Sequence, residues 1–196
     1  MPATLHQGDA GSAPGAQALR ITEIFYSLQG EARTVGRPTV FVRLTGCPLR
    51  CVYCDTAYAF SGGEMHSIDA IVAEVASFQP EYVTVSLEGV DERVVTVLDI
   101  KTPASGEMAR NDYTNIARLK PQDQVKFVIC DRADYAWARF KLDEYQLAER
   151  VADVLFSPSF TQLEGRELAE WILSDRLPVR MQLQLHKLLW NDAPGH

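Results

Sequence analysis

Three of the four cysteines lie within eight residues of one another, and their spacing is suited to metal chemistry. Cys47, Cys51 and Cys54 form the pattern C-x3-C-x2-C. Cysteine thiolates are the usual ligands of iron–sulfur clusters. Three thiolates on one short loop can bind three irons of a [4Fe–4S] cube and leave the fourth iron open to an exogenous ligand. The pattern therefore favours a cluster with one accessible iron.

Other interpretations of the cysteines stay open at this stage. A structural zinc site normally has four ligands in paired knuckles, and the sequence contains no second knuckle. Three unligated thiols are disfavoured because the cysteines cluster on a loop with Gly46 and Pro48. Cys130 ends an apolar segment and is predicted to be a core residue rather than a ligand.

The cysteine loop is expected to follow a buried strand at residues 39–44, which is β-branched and aromatic. A helix is predicted at 67–78, with Ser67 as its N-cap. Patterns of the same kind predict further strands at 21–26, 82–87, 94–100, 125–130, 154–156 and 179–185, helices at 133–151 and 163–173, and a short helical turn at 115–119.

Alternating strands and helices predict an α/β fold built from parallel β/α units with right-handed crossovers. In such folds the functional groups gather at the carboxyl ends of the strands. Those ends carry the cysteine loop, Lys101-Thr102, Ser157-Pro158 and His186-Lys187. Residues 1–19 are rich in Gly, Ala, Ser and Pro and are expected to form a flexible N-terminal lead, with a single domain at 20–196.

Composition narrows the class of protein. The 196 residues suit one domain, and 19 Lys+Arg against 26 Asp+Glu give a net charge of −7. An acidic balance argues against nucleic-acid binding, which depends on clustered Lys and Arg. No apolar run approaches the ~20 residues that span a bilayer, and the N-terminus lacks the pattern of a secretory signal. We therefore expect a cytoplasmic protein with neither a membrane nor a nucleic-acid partner.

The residues around the cysteines resemble a known family. The C-x3-C-x2-C loop after a strand looks like that of the radical S-adenosylmethionine superfamily. Several flanking segments resemble, in order, the 7-carboxy-7-deazaguanine synthases of the queuosine pathway. These segments are 25–31, 36–38, 41–47, 54–56, 99–103, 125–128, 156–158 and 184–187. The resemblance runs from about residue 21 to the end of the chain.

The resemblance implies a partial, open parallel β/α barrel of the radical S-adenosylmethionine type, with a [4Fe–4S] cluster and S-adenosyl-L-methionine as cofactors. The implied reaction is the rearrangement of 6-carboxy-5,6,7,8-tetrahydropterin to 7-carboxy-7-deazaguanine with loss of ammonia, a carbon–nitrogen lyase reaction. Mg²⁺ is implied beside the pterin substrate. The resemblance also implies an electron donor such as a flavodoxin, and a homodimer is one alternative for the oligomeric state.

The resemblance also implies roles for individual residues, although it assigns no catalytic acid or base. The implied metal ligands are Cys47, Cys51 and Cys54 for the cluster and Thr56 for Mg²⁺. The implied cofactor-binding residues are Tyr53, Cys54, Asp55, Lys101 and Ser157. The implied substrate-binding residues are Leu28, Gln29, Gly30, Arg43 and His186, with Arg43 pairing with the substrate carboxylate.

Ordinary structural roles remain alternatives for several of these side chains. Gln29-Gly30 could be only a turn, Arg43 an edge residue and Thr56 a plain loop hydroxyl. Lys101 could be a solvated charge, and intermediate burial is normal for a residue such as His186.

One segment departs from the family pattern. A Gly-Gly-Glu-Pro run that holds the amino group of the cofactor is expected after the strand at 82–85, but Ser86 to Asp91 follows instead. A helix, a strand and part of a loop are missing by this comparison, so the barrel is expected to be abbreviated. Gly62-Gly63-Glu64 precedes the first helix and does not replace the run. Glu88 is one candidate to take over the contact, from its position alone.

An active, abbreviated synthase is the leading hypothesis. A non-catalytic or impaired descendant that keeps the cluster loop is the alternative suggested by the missing segment. A glycyl-radical-activating enzyme shares the cysteine spacing, but the segments 28–31 and 184–187 favour the synthase. A zinc-binding interaction module is the weakest alternative.

Overall fold

The strands form two four-stranded sheets in the computed structural model, which describes residues 17–85, 92–191 and 193. The first sheet has the order β3-β1-β2-β4 and the second has the order β5-β6-β7-β8. The strands are β1 (Ala18–Leu28), β2 (Pro38–Leu44), β3 (Glu64–Ser67), β4 (Tyr82–Val85), β5 (Val97–Asp99), β6 (Gln124–Ile129), β7 (Asp153–Pro158) and β8 (Arg180–Met181). The helices are α1 (Ile68–Ser77), α2 (Arg132–Glu144), α3 (Leu147–Arg150), α4 (Gly165–Asp175) and α5 (Leu185–Trp190).

The second sheet is parallel throughout, whereas the first sheet is mixed. Strands β1 and β2 pair in antiparallel fashion because the loop at 29–37 joins them without a crossover helix. Parallel pairing, expected from the alternation of elements, therefore does not extend to β1 or β3. Within the described ranges no strand pairing joins β4 to β5, so the α/β architecture is open, as predicted.

The two faces of the second sheet differ in polarity. Val125, Phe127 and Ile129 of β6 point into the main hydrophobic core, where they pack with residues of α2 and α4 such as Tyr135 and Leu168. Successive side chains of a strand point to opposite faces. The other face therefore carries a set of polar and charged side chains, namely Asp99, Gln124, Lys126 and Ser157. This polar face points toward the first sheet.

Helix α1 begins as predicted, because the Ser67 hydroxyl accepts a hydrogen bond from the Ala70 amide at 3.2 Å. Ile71 of this helix packs with Ile21 and Val42 in a second, smaller core. Helix α1 thus covers the outer face of the first sheet.

Several elements differ from the sequence-based predictions. The single helix expected at 133–151 is wrong: Gln146 adopts a left-handed conformation (φ 51°) and separates α2 from α3. The strand expected at 94–100 contains only β5. Strand β1 begins at Ala18, inside the expected lead of residues 1–19. Residues 1–16 lie outside the described ranges, so the flexibility of the lead stays a prediction.

The strand predicted at 179–185 is confirmed only in part. Within this segment β8 alone pairs with β7, and His186 lies in the first turn of α5 rather than at a strand end. A short apolar run fits either a strand or a helix. Here the backbone amide of Leu185 donates to the carbonyl oxygen of Gly30 at 3.0 Å, a tertiary contact that directs this segment away from the sheet.

Within the described ranges, no helix is both long enough and apolar enough to cross a membrane.

The two sheets are connected by an ion pair between the buried Lys126 and the partly buried Glu31. The Nζ atom of Lys126 lies 2.5 Å from a carboxylate oxygen of Glu31, and Gln184 donates to the other oxygen at 2.8 Å. Burial by itself raises the pKa of Glu31, but the Lys126 charge and the two hydrogen bonds outweigh burial and hold this pKa below its ordinary value. Burial by itself lowers the pKa of Lys126, whereas the charge of Glu31 raises it. The net effect is a raised pKa. Both groups are therefore charged near neutral pH.

Glu31→Gln is expected to lower the free energy of unfolding at pH 7 by about 3 kcal/mol, because it leaves the Lys126 ammonium buried without its counter-ion. The folded-state pKa of Glu31 is depressed. Its contribution to stability is therefore complete above the ordinary glutamate pKa, and it is lost as the pH falls through the lower folded value. Urea unfolding of both proteins between pH 3 and 7 measures this difference.

Glu149→Gln is the matched control, since Glu149 is exposed in α3. Its free energy of unfolding should follow that of the native chain at every pH. The free energies of unfolding of Glu31→Gln and the native chain should converge as the pH falls. A difference between them that stays constant down to pH 3 would contradict the charge-pair explanation.

Candidate active site

Two neighbouring cavities lie between the sheets and share part of their walls. The first cavity, of about 270 Å³, lies against β1 and β2, and the second, of about 210 Å³, contains the cysteine loop. We call them the β1 cavity and the cysteine cavity. Both are lined by Asp55, Thr56, Lys126 and Gln184. Groups bound in the two cavities would therefore lie next to each other.

The cysteine loop begins where β2 ends, as predicted. Gly46 takes a positive φ of 101° after the strand, and its amide donates to the carbonyl oxygen of Ala59 at 2.9 Å. The amide of Val52 donates to the carbonyl oxygen of Ser105 at 3.0 Å. Backbone hydrogen bonds at both ends thus fix the loop between the two sheets.

All three cysteines of the motif line the cysteine cavity, whereas Cys130 is buried in the core as predicted. Burial raises the pKa of the Cys51 thiol, and the nearby Lys101 ammonium opposes this effect. No three Cys, His, Asp or Glu side chains in the described ranges converge as ligands of a single ion. In a [4Fe–4S] cluster each thiolate binds a different iron, so the ligands of a cluster stay apart. Three thiolates on one loop are the donor set of a cluster with one open iron, and all three line this cavity.

Three of the four predicted cofactor residues beyond the cysteines, Tyr53, Asp55 and Lys101, also line the cysteine cavity. The Lys101 ammonium pairs with Asp99 at 2.9 Å and lies 5.9 Å from the centre of the Tyr53 ring. Burial, reinforced by the Asp99 charge, raises the pKa of Tyr53. Ser157 is completely buried at the end of β7 and does not line this cavity.

Several buried polar atoms around the cysteine cavity have no hydrogen-bond partner among the described residues. They are the Tyr53 hydroxyl, the Oδ1 atom of Asp99 and, deeper in the sheet, the Ser157 hydroxyl. Leaving such atoms unpaired costs free energy, so they are uncommon in interiors that bind nothing. The cavity thus offers polar groups to a ligand as well as thiols to a cluster.

Asp134 at the start of α2 positions the segment that carries Lys101. Its buried carboxylate accepts hydrogen bonds from the Thr102 hydroxyl and the Ala104 amide, both at 2.9 Å, and from the Cys130 amide at 3.1 Å. The side chain of Asn111 pairs with the Lys101 backbone from the other side. The sequence analysis missed this support, because an aspartate in the first turn of a helix also fits an ordinary N-terminal charge preference.

The β1 cavity gathers all the predicted substrate residues. Leu28, Gln29, Gly30, Arg43 and His186 line it together, although they come from distant parts of the chain. Thr56, predicted to bind Mg²⁺, lies in the same wall, and its hydroxyl is 3.7 Å from the Cys54 sulfur. The structure therefore brings the predicted substrate and metal positions to one place.

Gly30 lies directly against His186. A Cβ atom at Gly30 would be 2.3 Å from the Nδ1 atom of His186, so no larger residue fits without moving the imidazole. Gln29 is held by a hydrogen bond from its amide to the Thr84 hydroxyl at 2.9 Å. The segment 28–31 therefore makes a tertiary contact as well as a turn, because its backbone packs against α5.

Arg43 has protein partners inside the β1 cavity. Its Nε atom lies 3.2 Å from Glu23, and a terminal nitrogen donates to the Tyr58 hydroxyl, which itself donates to Glu23 at 2.6 Å. The guanidinium also lies 5.4 Å from the Phe25 ring centre. A substrate carboxylate would thus meet an arginine whose charge is already partly balanced by Glu23.

The sequence analysis missed the charged groups that lie between the two cavities. Glu31, Lys126 and Lys187 lie within the family-like segments, but the sequence predicted no role for them. Lys187 is only 6% exposed, and its ammonium lies 2.9 Å from a carboxylate oxygen of Asp55. Burial raises the pKa of Asp55, but the hydrogen bond and charge of Lys187 outweigh it and keep that pKa low. The sequence did contain one signal for such a group: Lys126 lies inside the apolar segment 125–130, and a lysine buried there needs a partner.

Glu88, the sequence-based candidate for a cofactor contact, lies outside the described residues, as does the rest of segment 86–91.

Comparison with known proteins connects this geometry to a family. The chain is 37% identical over 219 residues to the 7-carboxy-7-deazaguanine synthase of Koribacter versatilis, covering 88% of this chain and 97% of that protein. It is 40% identical over 214 residues to the synthase of Chlorobaculum tepidum, covering 90% of this chain and 97% of that protein. No protein-family model matches the chain.

The aligned stretch of 219 residues is longer than the entire chain of 196. The Koribacter versatilis protein therefore contains residues that have no counterpart here, which supports the predicted missing segment.

A solved structure shares the fold. The crystal structure of QueE from Escherichia coli superposes with a TM-score of 0.63 at 16% sequence identity, covering 86% of this chain and 95% of that one. This likeness confirms the predicted fold class. Together with relatives that are 37% and 40% identical over most of their length, it leads to one conclusion: the chain belongs to the 7-carboxy-7-deazaguanine synthase family of radical S-adenosylmethionine enzymes.

Proposed function

We propose that this chain converts 6-carboxy-5,6,7,8-tetrahydropterin to 7-carboxy-7-deazaguanine with loss of ammonia, as an active but abbreviated member of its family. One observation carries the proposal: the cysteine cavity and the β1 cavity share a wall made of Asp55, Thr56, Lys126 and Gln184. A radical reaction needs the radical source and the reacting bond side by side, and the shared wall supports that arrangement.

In this proposal Cys47, Cys51 and Cys54 hold the [4Fe–4S] cluster, while Tyr53, Asp55 and Lys101 bind S-adenosyl-L-methionine in the same cavity. When bound, the reduced cluster and cofactor supply an organic radical that can remove a hydrogen atom from the substrate. Ser157 is also proposed to act toward the cofactor, because its buried hydroxyl has no partner among the described residues and it pairs in the sheet with Val128, which lines that cavity.

The protein's own groups orient the pterin in the β1 cavity. The edge of the pterin ring would face a surface formed by Leu28, Gln29 and Gly30. The stacked rings of Phe25 and Phe41, with centres 4.9 Å apart, form an apolar wall beside this surface. Arg43 supplies positive charge for the substrate carboxylate, with Glu23 and Tyr58 fixing its orientation. His186 closes the cavity opposite Gly30.

Mg²⁺ is proposed to bind beside the substrate at Thr56. Thr56 lines both cavities, and so does the preceding residue, Asp55. Hydroxyl and carboxylate oxygens are the hard ligands that Mg²⁺ prefers, and this ion commonly completes its shell with substrate oxygens.

The remaining partners stay predictions. The cluster requires an external electron, and a flavodoxin-type donor is one carrier that could deliver it. The proposal also keeps the homodimer, the cytoplasmic location and the division into a lead at 1–19 and a domain at 20–196 that the sequence predicts.

A non-catalytic or impaired descendant is the second candidate. The residues that the Koribacter versatilis synthase has and this chain lacks favour it, because they could include part of the cofactor site. The two candidates differ in one observable, which is product formation by protein with a complete cluster.

Anaerobically reconstituted protein is expected to form 7-carboxy-7-deazaguanine from the carboxylated pterin, S-adenosylmethionine, Mg²⁺ and a reductant, measured by chromatography and mass spectrometry. Cys51→Ala should lose the cluster iron and all product, because only two thiolates remain on the loop. Cys130→Ala is the matched control and should keep its iron, since Cys130 lies in the core.

Absence of product from native protein with a full cluster and bound cofactor would exclude the synthase activity and favour the non-catalytic candidate. Zinc without iron in anaerobically purified protein would instead support the zinc alternative.

Gly30→Ala is expected to lower kcat/KM for the pterin by about tenfold or more, because the new methyl group would displace the His186 ring. Gly165→Ala is the control. Its added Cβ meets only the flexible ends of Leu183 and Met181, away from the β1 cavity. The stability cost of Gly30→Ala should shrink in a His186→Ala background, and equal costs in both backgrounds would show that the imidazole is not the cause.

Thr56→Val is expected to raise the Mg²⁺ concentration needed for half-maximal product formation by about tenfold, with little change in cofactor affinity. The substitution preserves the side-chain shape, and the Thr56 hydroxyl forms no cap hydrogen bond to the following 3₁₀ turn. Thr45→Val, outside both cavities, is the control. An unchanged Mg²⁺ requirement in Thr56→Val would remove Thr56 from the metal site.

A further inference from the structure

We propose that the Tyr58 hydroxyl makes the β1 cavity selective for a carboxylated ligand, by competing with Arg43 for the carboxylate of Glu23. The competition leaves the guanidinium with positive charge for the ligand. The inference rests on the proposed function, because it takes the β1 cavity to be the pterin site. It gives Tyr58 and Glu23, for which the sequence predicted no role, a part in the choice of substrate.

The register of β1 and β2 places an internal carboxylate directly against Arg43. Glu23 is the cross-strand partner of Arg43, just after an irregularity in the pairing between Ile21 and Glu23. Opposite charges in such a pair attract each other, and the Nε atom of Arg43 lies 3.2 Å from the Oε1 atom of Glu23. A guanidinium neutralised by this carboxylate alone would attract a ligand carboxylate only weakly.

The Tyr58 hydroxyl binds the same carboxylate oxygen. It donates a hydrogen bond to the Oε1 atom of Glu23 at 2.6 Å and accepts one from a terminal nitrogen of Arg43. The direction of both bonds is fixed, because an ionised carboxylate only accepts and a guanidinium only donates. Burial and the hydrogen bond to Glu23 raise the pKa of Tyr58 to about 12, so the hydroxyl keeps its proton at neutral pH. Tyr58 therefore shares the Glu23 charge with Arg43.

The Arg43 guanidinium still has donors for a ligand. It lies between the rings of Phe25 and Tyr58, with each ring centre 5.4 Å from the central carbon of the guanidinium. Within the described ranges, Glu23 and Tyr58 engage its Nε atom and one terminal nitrogen, and the other terminal nitrogen has no partner. Arg43 and Tyr58 both line the β1 cavity, whereas Glu23 is not part of its wall. A ligand thus meets the cation rather than the internal anion.

The backbone that carries Tyr58 is fixed by the cysteine loop. Tyr58 belongs to a 3₁₀ turn at Ala57–Phe60, in which the Ala59 amide donates to the carbonyl oxygen of Thr56 at 2.9 Å. The Ala59 carbonyl in turn accepts from the Gly46 amide at the start of the loop, also at 2.9 Å. Such preorganisation lowers the entropy cost of binding. The arrangement therefore selects pterins with a carboxylate over pterins with a neutral group at the same ring position.

The test compares binding of 6-carboxy-5,6,7,8-tetrahydropterin and its neutral 6-carboxamide. Protein with a full cluster, S-adenosylmethionine and a fixed Mg²⁺ concentration is used without reductant, so that no turnover occurs, and affinity is measured by anaerobic equilibrium dialysis. The native chain should prefer the acid. Tyr58→Phe keeps the ring, and its preference should fall at least about tenfold through weaker binding of the acid alone. Tyr26→Phe is the matched control, since Tyr26 is 49% exposed and outside the cavity.

Glu23→Gln separates competition from simple orientation of Arg43. It removes the competing charge, so its preference for the acid should be at least as strong as that of the native chain. Adding Tyr58→Phe to Glu23→Gln should then change the preference by less than about twofold. A hydroxyl that only oriented the guanidinium would cost the same preference in both backgrounds. Thermal unfolding of each variant shows whether it is folded.

The proposal is overturned if folded Tyr58→Phe prefers the acid as strongly as the native chain, or if its loss of preference is the same in the Glu23→Gln background. It is also overturned if fully loaded native protein does not distinguish the acid from the amide. Native protein that prefers the acid but forms no product after reduction contradicts the proposed function and leaves the role of Tyr58 standing. Product formation by the native chain together with an unchanged preference in Tyr58→Phe gives the reverse result.

Discussion

The ion pair between Glu31 and Lys126 is the interaction on which the site depends. The second sheet places its apolar face against the helices, so its other face carries polar and charged side chains into the space between the sheets. Lys126 is the cation at the centre of that face, and without a partner its burial would be costly.

The partner is Glu31, in the loop after β1. Gln184, in the segment before α5, donates a hydrogen bond to the other carboxylate oxygen of Glu31. The pair thus ties three distant parts of the chain together. It also lies in the wall of the β1 cavity, so the contact that joins the sheets helps to shape the site.

The pair also explains why the two cavities adjoin. Lys126 lines both of them, as do Asp55 and Thr56 from the cysteine loop. Asp55 in turn is balanced by Lys187 of α5. Alternating cations and anions therefore run through the interior, and each lowers the cost of burying its neighbour. These ion pairs place charged groups around the cavities, where they can orient a small charged ligand.

Local patterns predicted part of this arrangement. The strand before the cysteine loop, the N-cap at Ser67 and the core position of Cys130 all follow from residue type and short-range periodicity, and the structure confirms them. The end of the chain was predicted less well. Residues 179–185 have a pattern that suits a strand, but the hydrogen bond between Leu185 and Gly30 and the packing of His186 belong to a helix.

The sequence by itself determined the cysteine spacing, the order of the family-like segments and the absence of one expected segment, because these properties are carried by identity and position along the chain. Only the tertiary structure decided which charges meet. It pairs Arg43 with Glu23, Lys126 with Glu31 and Lys187 with Asp55. Charge pairing depends on distances between residues far apart in sequence, and no local period encodes those distances.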